Sequence, residues 1–180
     1  MRKALYILGD LEEADIRWMA GAGARRQVRP GETLIHAGAP VEAFYIVIDG
    51  AFVVTLETGQ EIARLGAGDI LGEMSLVEKR PPSVSVAAAE PGTVLAVPQG
   101  RLRERLAAEP AFAARFYRAL AVFLSDRLRS TVASLGYGGE TADALARFEA
   151  ENELDEGLLD TLHVAGDRMR RLTELLAGGR

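Results

Sequence analysis

The chain has 180 residues, 48% of them hydrophobic, with a formal net charge of −5 and no cysteine, which suits one domain with an appended segment and rules out a disulfide framework or thiolate zinc cluster. No apolar run approaches the roughly 18 residues of a membrane span and no charged-then-apolar leader opens the sequence, so a cytoplasmic protein without a membrane span is expected. Residues 1–139 carry 16 acidic and 16 basic side chains against 10 and 5 in residues 140–180, and an acidic excess confined to one end argues against nucleic acid as a partner.

Ala4-Leu5-Tyr6-Ile7-Leu8, then Leu11, Ile16, Met19 and Ala20 at near-helical spacing, predict an entry segment and a helix packed on the domain. Short strands between glycine turns are expected next, at residues 32–36, 44–48, 51–56, 61–65, 83–89 and 93–97. Asp49-Gly50, between two of these runs, predicts a hairpin. Strands spaced this evenly predict an antiparallel sandwich or barrel, mainly β with flanking helices. After Pro98 the pattern turns helical. A piece at 101–107 precedes a long helix from Pro110 to about Leu135, with Phe112, Phe116, Leu120, Leu124, Leu128, Thr131 and Leu135 as its buried stripe. Gly136-Tyr137-Gly138-Gly139 is expected to end it, dividing a domain at 1–135 from an acidic helical extension at 136–180. There residues 141–150 and 156–177 read as helical. Leu158, Leu162, Ala165, Met169, Leu172 and Leu176 form a seam at intervals of four and three, which predicts packing against the long helix or against a second copy.

The most informative stretch runs from Gly66 to Val86. Ile70-Leu71 is a short buried segment, and Gly72-Glu73-Met74-Ser75-Leu76 reads as a helical turn whose unpaired N–H groups suit a phosphate. Gly72 permits close approach to the backbone, and Glu73 suits a hydroxyl pair such as that of a ribose. Together with Arg80-Pro81-Pro82-Ser83-Val84-Ser85-Val86, this stretch resembles the phosphate-binding cassette of the cyclic nucleotide-binding domain family, and the resemblance extends over roughly residues 9–135. It implies a β jelly roll of the cyclic nucleotide-binding type followed by C-terminal helices, with cyclic AMP or cyclic GMP as ligand and no further cofactor. Carried over residue by residue, it assigns the ribose to Gly72 and Glu73, and the phosphate to the N–H groups of Met74 and Ser75 and the hydroxyl of Ser83. Val54, Ile62 and Ala63 would line the pocket and Thr131 would touch the base. One position departs from the family: its phosphate-neutralising Arg is here Pro82, which has neither charge nor donor. Arg80, two residues earlier, is the candidate substitute.

His36 and His163 have no metal-like or catalytic neighbours at a telling spacing, and Ser75, Ser83 and Ser125 have no general base nearby in sequence, so neither a catalytic nor a metal residue is assigned. Arg25-Arg26 and Arg101, Arg103 and Arg105 read as solvated faces. Two functions follow. The first is a sensor module, not an enzyme, that couples a nucleotide in the pocket to the C-terminal helices, as a homodimer or with another protein as partner. The alternative is a degenerate, non-binding domain that serves protein interaction or oligomerisation.

Overall fold

The continuous apolar run Phe44–Ile48 belongs to a strand buried on both faces. In the computed structural model, which describes residues 8–78, 80–134 and 156–178, Ala43, Tyr45 and Val47 point into one hydrophobic cluster while Phe44 and Ile46 point into a second. The elements are α1 (Glu13–Ala22), β1 (Ala24–Val28), β2 (Thr33–Ile35), β3 (Ala43–Asp49), β4 (Phe52–Thr55), β5 (Glu61–Leu65), β6 (Ile70–Leu71), the one-turn helix α2 (Met74–Val77), β7 (Ser85–Ala88), β8 (Gly92–Pro98), α3 (Gln99–Ala108), α4 (Pro110–Ser134) and α5 (Glu156–Gly178). The strands form two antiparallel four-stranded sheets, in the orders β1-β8-β3-β6 and β2-β7-β4-β5. Val28, Leu34, Tyr45, Val47, Phe52, Val54, Val86 and Val94 fill the space between the sheets, and the helices cover the outer face of the first sheet. This is the jelly roll with flanking helices that the strand spacing and the resemblance predict.

The hairpin expected at Asp49-Gly50 does not form. β3 pairs with β6 and β8, β4 pairs with β5 and β7, and Asp49-Gly50 carries the chain from one sheet to the other. The turn still requires glycine. Gly50 has φ of 92°, and a Cβ there would sit 2.6 Å from Gly92 Cα, so both the backbone angle and the close approach exclude a side chain. Gly31, Gly38 and Gly68 also take positive φ.

In α4, Phe112, Phe116 and Leu120 are fully buried and Phe123 joins them, but Leu128 is 65% exposed. The predicted stripe holds as far as Leu124, which packs against the same cluster, and the side chain of Thr131 lies outside the described ones. Leu135 and residues 136–155 lie outside the described residues. The described part of the α5 seam packs on α1 rather than on the long helix, and the side chains of Leu158 and Leu162 lie outside the described ones. Ala165 and Leu172 are buried there, with Met169 and Leu176 against the same cluster. Arg168 Nη1 donates to the carbonyls of Leu8 and Gly9 at 2.7 and 2.6 Å, and Arg171 pairs with Glu13 at 3.6 Å. Among the described residues, no helix is long and apolar enough to cross a membrane.

Candidate functional site

The cassette is fixed by backbone contacts before any side chain acts. Gly72 takes φ of 80°, and a Cβ on it would meet the carbonyl oxygen of Ala43 at 2.6 Å. Glycine lets the chain turn sharply off β6 while pressed against β3, and this turns the next residue, Glu73, inward. From behind, α3 holds the turn. Gln99 Nε2 donates to the Gly72 carbonyl at 3.1 Å, and Arg103 Nη2 donates to the Ser75 carbonyl and, at 3.1 Å, to Gln99 Oε1. Arg103 is thus no idle solvated charge.

Glu73 is 3% exposed. Its Oε1 accepts a hydrogen bond from Arg127 Nη1 of α4 at 2.9 Å, across 54 positions of sequence. Burial pushes the Glu73 carboxyl above the usual carboxylate range against the pull of the Arg127 charge, and the nearby Asp69 adds to the rise. Asp69 Oδ2 accepts the Gly66 amide at 2.9 Å, while its buried Oδ1 has no hydrogen-bond partner.

Of the other expected site residues, Val54 is buried between the sheets and Ala63 packs against the same cluster, opposite Val54 in the β4–β5 register. Ile62 does not join them. It lies where the pairing skips from Ala63 to Glu61, and it is 50% exposed. Met74 is exposed and Ser75 half-buried. Arg80 and Ser83 are exposed, whereas Pro82 is half-buried and its carbonyl accepts the Gly38 amide at 2.8 Å. Thr131 lies on α4 four residues beyond Arg127.

Two features escaped the sequence reading. Arg127 gave no local sign of its role; its one signal was its place a helical turn before Thr131. Arg105, expected on a solvated face, instead has a side chain only 9% exposed. Its guanidinium lies 4.6 Å from the centre of the Trp18 ring and 4.0 Å from that of Phe112, and it donates to Asp15 Oδ1 at 2.9 Å. Asp15 also accepts from Arg115 Nε at 3.0 Å and from the Glu12 amide at 2.9 Å. A groove of about 460 Å³ opens beside this cluster, lined by Trp18, Ala22, Arg101 and Glu104 among others, and none of the cassette residues reaches it.

Two packed antiparallel sheets with a glycine-positioned carboxylate between them and a long helix define a jelly-roll binding domain. Residues 25–109 match the family described as the cyclic nucleotide-binding domain. The crystal structure of the Thermus thermophilus catabolite activator protein superposes with a TM-score of 0.58 at 26% identity, over 96% of this chain and 86% of that one. A cyclic nucleotide-binding domain from Methylobacillus flagellatus shares the fold, with a TM-score of 0.64 at 24% identity over 72% and 78% of the two chains. The uncharacterized NTE family protein Rv2565 of Mycobacterium tuberculosis is 30% identical over 118 residues, which are 66% of this chain and 20% of that protein. This chain thus spans about a fifth of the length of that relative. The jelly-roll region, matched over residues 25–109, has the fold and the family-model signature of a cyclic nucleotide-binding domain.

Proposed function

We propose that this domain is a regulatory sensor in which cyclic AMP or cyclic GMP enters the jelly-roll pocket and acts on the C-terminal helices. The observation that carries the reading is the contact between Glu73 and Arg127 at 2.9 Å. A ribose diol that engages Glu73 competes with a side chain of α4, so occupancy and helix position share one carboxylate. Ligand shifts α4 only to the extent that it binds its two positions with different affinity. Gly72, Glu73, the N–H groups of Met74 and Ser75, Val54, Ala63 and Thr131 form the pocket in this reading, with Ser83 and Arg80 at its rim. The module is cytoplasmic and non-enzymatic, and its unit is a homodimer joined along the exposed side of α4.

Calorimetry with each nucleotide on the purified chain tests this. Binding is expected to be weaker than micromolar, because the missing guanidinium removes a bond worth roughly 1.5–3 kcal/mol. Pro82→Arg should tighten it by about tenfold or more, and Glu73→Ala should weaken it. Pro82 also favours a second reading, a domain that has lost its ligand and serves assembly. No heat from the native chain, with no gain in Pro82→Arg, would establish that reading instead.

A further inference from the structure

We infer that Arg127, reaching in from α4, is the cation that meets the phosphate of a ligand in this pocket, in place of the loop guanidinium that Pro82 cannot supply. This rests on the sensing reading above.

A buried phosphate needs a donor bearing positive charge. Among the described residues the basic side chains around the cassette are few, and most are committed elsewhere. Arg80 is exposed on its loop. Arg103 is engaged behind the turn by the Ser75 carbonyl and Gln99. Arg64, next to Ala63, is 65% exposed and bound to Glu61 at 2.7 Å. Arg127 alone of these holds its guanidinium against the buried pocket carboxylate.

Its chemistry suits the exchange. A guanidinium presents five donors in a planar fork, enough to bind a carboxylate with one edge and a phosphate oxygen with another. The phosphate is expected beside the N–H groups of Met74 and Ser75, the two residues that follow Glu73, so the group already resting on Glu73 is one side-chain movement from it. The electrostatics favour that movement. Among the described residues, the acids Glu73 and Asp69 bear on this site together with the Arg127 guanidinium. An entering phosphate adds negative charge that Arg127 can balance, while ribose hydroxyls supply Glu73 with replacement donors. A phosphate-bearing ligand then grips α4 directly, whereas an uncharged nucleoside of the same shape does not.

The test is calorimetry on the full chain with cyclic AMP and with adenosine, which lacks the phosphate. For Arg127→Gln, cyclic AMP affinity should fall by about tenfold or more while adenosine, which keeps the diol that competes with Arg127 for Glu73, loses none. Adding Pro82→Arg to that variant should restore cyclic AMP binding, since the charge returns from the loop. Should the Gln variant fail to fold by circular dichroism, Arg127→Lys keeps the charge without the fork and should lose severalfold for cyclic AMP alone. Equal losses for both ligands, or none for either, would overturn the inference and leave the sensor reading standing. A native chain that binds neither cyclic AMP nor cyclic GMP would overturn both.

Discussion

Asp15 holds two guanidinium groups from two different helices with one carboxylate, and so ties α1 to α3 and α4. Its side chain and that of Arg105 are 1% and 9% exposed. Among the described residues, removing Asp15 leaves Arg105 only its ion pair with Glu109 and Arg115 only its ion pair with Glu12, and Asp15→Ala should cost about 3 kcal/mol, measurable by urea unfolding. The two buried acids respond to pH in opposite directions. Burial alone would raise the Asp15 carboxyl, but the hydrogen bonds from Arg115 and the Glu12 amide, with the charges of Arg115 and Arg105, hold it below the usual range. Its stabilisation is present above the unfolded carboxylate pKa and is lost as pH falls through the folded one. Glu73, raised by burial, binds its proton more tightly in the folded state, so folding gains as pH drops from neutral through its range. Thermal melts should therefore rise slightly on mild acidification before falling, and Glu73→Gln should remove the rise but not the fall. Glu73 was legible because Gly-Glu at the head of a turn is a local pattern. Arg127 was not, because its role depends on the distance between two elements, which no local pattern encodes.

Among the elements, β1 and β3 show where pattern reading stops. Ala24-Arg25-Arg26-Gln27-Val28 pairs with β8 along its whole length but buries only Val28, so its composition reads as polar surface and its role as a strand was missed. Asp49-Gly50 correctly marks a reversal, yet a dipeptide specifies turn geometry and not the identity of the paired strand. β3 has β6 on one edge and β8 on the other, so both of its hydrogen-bonding edges are taken before β4 begins. The glycines, the helix limits and the alternation of buried residues were legible because backbone sterics and burial leave a mark within a few residues. On α4, Tyr117 and Leu128 are 45% and 65% exposed and share one side of the helix, the side along which the proposed homodimer would join. Leu128→Glu should shift sedimentation toward monomer without lowering the melting temperature. A monomeric native chain at high micromolar concentration would remove the dimer from the proposed function.

At the scale of the whole molecule, two hydrophobic clusters share β3 as a common wall, one between the sheets and one beneath the helices. The helical cluster draws on both ends of the described chain, since Leu8 and Leu172 lie in it together. Leu172→Ala should cost about 2–5 kcal/mol, read from the midpoint of a denaturant transition, if α5 is integral to the folded unit. A change within about 0.5 kcal/mol would mark α5 as dispensable to the fold. The docking of α5 on α1 also sets a clock during protein synthesis. The residues of α1 leave the ribosome before those of α5, and their cover at Ala165 and Leu172 arrives only after some 150 further residues, on the order of 8–30 s later at about 5–20 residues per second. Through that interval the nascent chain can close its jelly roll while the side of α1 awaiting α5 stays open to water and to chaperones.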